Sequence, residues 1–137
     1  MSVGAITVVG SVAFDTIEAP TGRAEEVLGG SATHFAVAAS YFAPVNLVAV
    51  VGEDFPEAER DYLGSRNIDL SGLEVRPGRT FRWTGRYHED MNVRDTLSFE
   101  AGCRVSAVFS PVAAGLVARA MGLSSLSPMN FPSVKRL

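Results

Sequence analysis

The stretch from Leu28 to Ser40 reads LGGSATHFAVAAS, and the apolar run NLVAVVG follows it from Asn46 to Gly52. Two adjacent glycines before an alanine-rich segment are typical of a tight turn that leads into a helix. The apolar run, with Leu47–Val51 at its centre, predicts a strand buried on both faces. Because the β-branched run Ala5–Val9 predicts another buried strand, the three segments together predict a βαβ unit with a parallel sheet.

The same alternation of strand and helix continues further along the chain. We expect a first helix over Ser31–Phe42, with Phe35, Ala38, Ala39 and Phe42 on its apolar face. A second helix is predicted over Pro56–Arg66, because proline suits a first helical turn. Asn67 then suits the left-handed cap at its end. A further strand is expected from Ile68–Asp69 and Gly72–Val75.

Two later segments have a different pattern. Phe81–Tyr87 alternates aromatic residues with arginine and threonine, which predicts a strand with one covered and one solvated face. Thr96–Phe99 repeats this alternation, so we expect the two strands to pair around the turn at His88–Asn92. They would form a small sheet that stands off the parallel sheet.

Composition excludes several classes of function. The chain has 137 residues and a net charge of −3, so no electrostatic feature favours nucleic acid or membrane partners. No apolar run reaches the ~20 residues of a membrane span, and the N-terminus lacks the features of a secretory signal. The single cysteine excludes an internal disulfide and fits the cytoplasm. His88 and Cys103 have no partners at metal-ligand spacing, so we predict no metal site built by the protein.

Charge is distributed unevenly along the chain. All fifteen acidic residues lie between Asp15 and Glu100, while the segment from Cys103 to Leu137 has none and carries four basic residues. This shift predicts two parts, residues 1–102 and residues 103–137. The second part is rich in serine and proline, and its one helical candidate lies near residues 112–121. We expect a divergent, partly disordered tail, either frame-shifted or the end of a fragment whose other half is encoded separately.

Four short motifs now point to a family. They are Gly10–Asp15, Gly29-Gly30 before the alanine-rich helix, Val51–Phe55, and Asn67–Leu73. In this order and spacing they resemble the N-terminal half of the PfkB, or ribokinase-like, carbohydrate kinases. The resemblance implies an α/β fold, namely a truncated Rossmann-like core with a small β-sheet lid. It also implies ATP-dependent phosphorylation of a hydroxyl on a sugar or nucleoside.

A substrate site can be argued on chemistry as well as on resemblance. Asp15 follows the first strand, at the edge where open α/β sheets bind ligands, and its carboxylate could accept hydrogen bonds from two neighbouring hydroxyls. The alternative is a turn or capping aspartate. Gly29 and Gly30 would let a ligand approach the backbone, or they simply form a tight turn. His34 stands where many relatives carry a substrate-binding asparagine, and a histidine packed on the helix is the alternative.

The lid would carry Phe81, Trp83 and Tyr87, whose rings could stack on a substrate or simply pack against the core. The arginines of this region have the composition of an anion site, although a solvated strand face is the favoured interpretation; they are Arg76, Arg79, Arg82 and Arg86.

The phosphotransfer half of the family pattern is missing. The resemblance implies ATP and Mg²⁺ as cofactors and a catalytic aspartate in a Gly-Ala-Gly-Asp-like segment, yet this sequence contains neither that segment nor a P-loop. Phosphoryl transfer depends on positioning and charge stabilisation. We therefore expect no catalytic residue and no ATP site in this chain, and no activity of the chain alone.

Three hypotheses follow. The first is the substrate-binding half of a sugar or nucleoside kinase. The second is a non-catalytic ligand-binding or interaction module derived from that fold, with self-association through an exposed sheet edge or the lid. The third is an unrelated Rossmann-like nucleotide-binding domain, which the absence of G-x-G-x-x-G spacing disfavours.

Overall fold

The computed structural model describes residues 4–100 and Gly102. The tail from Cys103 to Leu137, including the helix predicted near residues 112–121, lies outside the described residues. Within the described part, seven strands and two helices follow one another in the order β1 (Ile6–Val9), β2 (Ala13–Ala19), β3 (Gly22–Gly29), α1 (Ser31–Ala39), β4 (Val45–Gly52), α2 (Glu57–Gly64), β5 (Ile68–Arg76), β6 (Phe81–Tyr87) and β7 (Arg94–Glu100).

The strands β1, β4 and β5 form a parallel sheet in the order β1-β4-β5, which confirms the predicted βαβ unit. Ile6 pairs with Val45, which in turn pairs with Ile68. Strand β4 lies between the other two, and six of its eight residues are buried, as the continuous apolar run predicted. It begins at Val45, before the predicted Leu47, and the predicted further strand forms as β5, which also includes Leu70 and Ser71.

Helix α1 is shorter than predicted and has a different buried face. It ends at Ala39, and Phe35 and Phe42 are 58% and 85% exposed, so their predicted burial is wrong. The turn before the helix sets its rotation, because the backbone N–H of Ala32 donates to the carbonyl of Ser11 at 3.0 Å. Small side chains therefore face the sheet, and the buried residues are Ala32, Thr33, Ala36 and Ala39.

Helix α2 forms where the sequence predicted it. Pro56 is its N-cap residue, with an extended backbone, and Glu57 and Glu59 lie in the first turn near the positive end of the helix. Leu63 anchors the helix in the core with no exposed surface. Asn67 has a φ of 59°, which confirms the predicted left-handed conformation after the helix.

A second sheet has the order β3-β2-β6-β7. The antiparallel pairing of β6 with β7 confirms the predicted hairpin. The hairpin of β2 with β3 was not predicted, because β3 is exposed along most of its length and so lacks an apolar alternation. Strand β2 also pairs in parallel with β6, which joins the two hairpins into one sheet.

The core lies between the parallel sheet and its helices and extends to the base of the second sheet. Val12 and Phe14 belong to the same buried cluster as Leu47, Val51 and Leu63. The ring of Phe14 packs against that of Phe55, with centroids 5.8 Å apart. The two sheets therefore share one core at their junction. No helix in residues 4–100 has the length and apolar character of a membrane span.

Candidate functional site

Asp15 follows β1, but it lies within β2 of the second sheet rather than in a turn, so the alternative of a turn or capping aspartate does not apply. The reason is that the chain after β1 enters the second sheet directly, where Asp15 pairs with Val27 on β3 and with Trp83 on β6. Its carboxylate lies against Gly29: a Cβ on Gly29 would overlap the Asp15 carboxylate oxygen. Gly29 is therefore required for the close approach of this side chain.

Gly30 continues the same arrangement at the start of α1. It is the N-cap residue, with φ 95° and ψ 150°, and a Cβ there would overlap the carbonyl of Ser11. The backbone amide of Gly30 lies near the Asp15 carboxylate and favours its charged form. The structure thus brings Asp15, Gly29 and Gly30 together, as a shared ligand site would require.

Burial raises the pKa of Asp15 above its ordinary value, because a charge is less stable away from water. The nearby His34 ring and the Gly30 amide act in the opposite direction but do not outweigh burial. His34 lies in the first turn of α1, and its side chain is exposed. The Asp15 carboxylate is thus a partly desolvated acceptor with one neighbouring titratable ring.

The predicted lid aromatics lie along β6. Phe81 and Trp83 occupy alternate positions on the face of the sheet that also carries Asp15, and Trp83 pairs directly with Asp15. Phe81 packs against Phe99, with centroids 6.5 Å apart. Tyr87 is four residues beyond Trp83, about 13 Å along the strand at ~3.3 Å per residue. The structure therefore brings Trp83 to Asp15 and places Tyr87 at the far end of the sheet.

The four arginines considered as an anion site are each paired with carboxylates. Arg82 is the most enclosed of them, with a side chain only 16% exposed, so a solvated strand face does not describe it. This pairing leaves no cluster of unneutralised arginines for an anion. The pairs are Arg76–Glu74 at 2.7 Å, Arg79–Glu100 at 2.9 Å, Arg82–Asp54 at 2.7 Å and Arg86–Glu18 at 2.8 Å.

An open groove of about 740 Å³ runs beside Asp15, Gly29 and Gly30, between β3, α1 and α2. His34 is the one predicted binding residue in its wall; the other residues that define it include Leu28, Thr33, Val37, Tyr41 and Tyr62. The hydroxyl of Thr33 is buried and has no hydrogen-bond partner among the described residues. The groove therefore lies next to Asp15, Gly29 and Gly30, and none of these three residues lines it.

Two other predictions concern metal ligands. His88 is hydrogen-bonded to Asp95 at 2.8 Å, and Cys103 lies outside the described residues. Within residues 4–100 and Gly102, no group of three or more His, Cys, Asp or Glu side chains could hold a metal ion.

Sequence reasoning missed a polar cluster at the junction of the two sheets. Asp54, which follows β4, accepts hydrogen bonds from Thr80 and Arg82 at the base of β6. The motif Val51–Phe55 was singled out as family-like, but nothing in a single sequence indicates that its aspartate contacts residues 26 and 28 positions away.

Comparisons with known proteins point to kinases. A cytidine kinase of Thermococcus kodakarensis is 38% identical over 89 residues, which are 64% of this chain and 32% of that protein. A solved nucleoside kinase of Methanocaldococcus jannaschii, an archaeal member of the ribokinase family, is 27% identical with a TM-score of 0.58. This match covers 74% of this chain and 38% of that one. A ribokinase of Cryptococcus neoformans, solved with ADP, has a TM-score of 0.62 at 22% identity, covering 73% and 35% of the two chains.

A scan against models of protein families gave no match. The chain spans about a third of the length of the curated relative that it matches. The order of the four motifs, the parallel sheet with its second sheet and the similarity to these kinases agree with one another. Over its described part, this chain is similar in sequence and in fold to kinases of the ribokinase family.

Proposed function

We propose that this chain is the substrate-binding part of a nucleoside kinase and holds the ribose of a nucleoside. The observation that carries the proposal is the Asp15 carboxylate, packed against Gly29 beside Gly30 at the start of α1. A nucleoside rather than a free sugar is supported by the names of two relatives, a cytidine kinase and a nucleoside kinase.

The chemistry of Asp15, Gly29 and Gly30 suits a vicinal diol. An ionised carboxylate accepts hydrogen bonds from two hydroxyls at once, and such charge-assisted bonds are stronger than neutral ones. The absence of side chains at Gly29 and Gly30 leaves room for the sugar beside the backbone. His34 would contact the sugar from α1, as a donor or an acceptor. We propose that the base lies under the lid formed by Phe81, Trp83 and Tyr87, with Trp83 closest to Asp15.

We propose that ATP and Mg²⁺, which the resemblance implies, bind to residues other than the described ones. In support, the described residues contain no group of three or more His, Cys, Asp or Glu side chains that could hold a metal ion, and their enclosed arginine, Arg82, already pairs with Asp54 and Glu26. Phosphoryl transfer would need residues other than these. We propose accordingly that residues 1–102 form the substrate-binding unit and that the chain alone does not turn over.

Isothermal titration calorimetry of the whole chain with cytidine, inosine and ribose tests the proposal. We expect a nucleoside to bind and the Asp15→Asn variant to bind it at least about tenfold more weakly, since hydrogen bonds to a charged group contribute roughly 1.5–3 kcal/mol. Asp61→Asn is the matched control, because Asp61 is an exposed carboxylate on α2.

Equal binding by the wild type and Asp15→Asn, or no nucleoside binding at all, would contradict the proposed site. An assay of ATP consumption in the presence of the bound nucleoside tests the second claim, the inactivity of the chain alone, separately from the proposed binding site. Turnover by the chain alone would overturn the proposed inactivity and leave the nucleoside site standing.

An interaction module remains the second candidate, and one observation favours it. Every residue of β7 is exposed, including Leu97 at 44% and Phe99 at 65%. Exposed apolar side chains on an edge strand favour pairing with another chain. Self-association through the second sheet is therefore proposed alongside the substrate site.

A further inference from the structure

We propose that Asp54 is a positioning residue that fixes the second sheet onto the parallel sheet through Thr80 and Arg82, and so holds Trp83 and Asp15 over the start of α1. The effect on ligand binding rests on the proposed function, whereas the mechanical connection does not. We call this connection the junction latch: Asp54, Thr80, Arg82 and Glu26.

The latch begins with a direct contact between two backbone segments. The Gly52 N–H donates to the hydroxyl of Thr80 at 3.1 Å, and the Glu53 N–H donates to the carbonyl of Gly78 at 3.0 Å. A Cβ on Gly52 would overlap the backbone of Gly78, Arg79 and Thr80. The end of β4 and the residues before β6 therefore approach as closely as two backbones can.

The carboxylate of Asp54 then adds hydrogen bonds to this contact between the two backbone segments. One oxygen accepts hydrogen bonds from the Thr80 N–H at 2.6 Å and the Thr80 hydroxyl at 2.8 Å, and the other accepts from Arg82 Nη1 at 2.7 Å. Thr80 has no exposed surface. A buried threonine whose N–H and hydroxyl both depend on one carboxylate loses two partners when that carboxylate is removed, which is costly away from water.

Arg82 extends the latch across the second sheet. Its Nε donates to Glu26 Oε1 on β3 at 2.7 Å, and its Nη1 also donates to the Thr80 carbonyl at 3.0 Å. The guanidinium lies over the ring of Phe14, 5.3 Å from its centroid. One planar side chain thus connects β3, β6 and the loop after β4, a role that a lysine could not fill.

The latch and the proposed site occupy opposite faces of the same strands. Phe14 and Arg82 pair across β2 and β6 on the latch face, and the next pair, Asp15 with Trp83, points to the other face. A change in the angle of β6 relative to β4 would therefore move Trp83 and Asp15 relative to Gly30, the N-cap residue of α1.

Hydrogen exchange of the full chain without ligand tests the latch directly. We expect Asp54→Asn and Thr80→Val to speed exchange of the β6 amides by roughly 10- to 100-fold, while the central amides of β4 keep the wild-type rate. Thr80→Ser retains the hydroxyl and should restore slow exchange. Asp61→Asn, which removes an exposed carboxylate from α2, should change neither strand.

Equal acceleration in β4 and β6 would mean that Asp54 supports only global stability, and no acceleration would mean that it holds nothing; either result overturns the proposal. Nucleoside titration of the same variants distinguishes the two proposals. If the wild type binds no nucleoside while β6 loosens selectively in Asp54→Asn, the proposed function fails and the latch stands. If the wild type binds and Asp54→Asn binds equally well with a loosened β6, the positioning role is overturned.

Discussion

Gly30 has a backbone conformation that residues with a Cβ rarely adopt, with φ 95° and the Ser11 carbonyl directly where a Cβ would be. Its amide also lies near the Asp15 carboxylate and favours the charged form of that side chain. This residue therefore combines a conformational requirement of the fold with a contact in the proposed site.

Replacement of Gly30 should destabilise the protein, and Gly64 provides a matched control. We expect Gly30→Ala to lower the free energy of unfolding by about 1–3 kcal/mol, the cost of a residue held in a sparsely populated backbone region. A Cβ on Gly64, at the end of α2, meets nothing within 4 Å. Gly64→Ala should therefore raise the free energy of unfolding by up to about 1 kcal/mol. Urea denaturation measures both, and a stabilising Gly30→Ala would contradict the model of this turn.

Asp54 should make stability depend on pH. Partial burial would by itself raise the pKa of Asp54, but hydrogen bonds from Thr80 and Arg82 outweigh it and hold the pKa below its ordinary value. A carboxyl whose pKa is lower in the folded state stabilises that state above its unfolded pKa, near ~3.9, and loses this contribution as pH falls through the folded pKa.

The difference in unfolding free energy between wild type and Asp54→Asn should therefore be largest near neutral pH and shrink as the medium becomes acidic below about pH 4. Arg79 and Arg82 face Asp54, and Glu26 and Glu100 share these arginines. Because these four residues are present in both proteins, the difference isolates Asp54. A difference that is constant from pH 7 to pH 3 would contradict the charge-assisted contact.

At the scale of elements, β6 carries both Arg82 of the proposed latch and Trp83 of the proposed lid. Trp83 is the one tryptophan of the chain, so its emission reports on this strand alone. Its Nε1 donates to the Thr96 hydroxyl of β7 at 3.3 Å, and Arg94 lies 5.9 Å from its ring. The indole therefore packs along the sheet, over Gly85.

Gly85 leaves the space that the indole fills. A Cβ on Gly85 would overlap the six-membered part of the Trp83 ring. We expect Gly85→Ala to displace the indole and to shift the fluorescence emission maximum without any ligand. Nucleoside added to the wild type should change the emission as well, because Trp83 pairs with Asp15. An unchanged spectrum in Gly85→Ala would contradict the packing of Trp83 over this residue.

For the whole molecule, the exposed β7 predicts concentration-dependent association. Sedimentation velocity over a range of concentrations should show species larger than the monomer, and Leu97→Lys should reduce them, since a charge on an edge strand opposes pairing. Asp61→Lys, an exposed change on α2, serves as the control. A monomer at all concentrations would contradict self-association, as would association that Leu97→Lys leaves unchanged.

The sequence predicted those elements in which the pattern of apolar and polar side chains reflects which residues are buried. The continuous apolar run of β4 formed as expected, because burial on both faces leaves a direct signal in the sequence. Strand β6 formed and pairs with β7, but the predicted solvated face is wrong for Arg82, whose side chain is only 16% exposed. The hairpin of β2 with β3 left no such signal, since β3 is mostly exposed. For α1 the buried face predicted from the bulky side chains was wrong, because the smallest residues of the helix face the sheet.

What the sequence by itself determined is the parallel sheet with its helices, the pairing of β6 with β7 and the resemblance to ribokinase-like kinases, all of which depend on local pattern and motif order. Only the tertiary structure decided that Asp15 lies inside a strand against Gly29 and that Asp54 joins the two sheets. The physical reason is that these contacts connect distant residues: Asp54 and Thr80 are 26 positions apart, and Glu26 and Arg82 are 56 apart. The periodicity within one element does not indicate which distant residue a polar side chain contacts after folding.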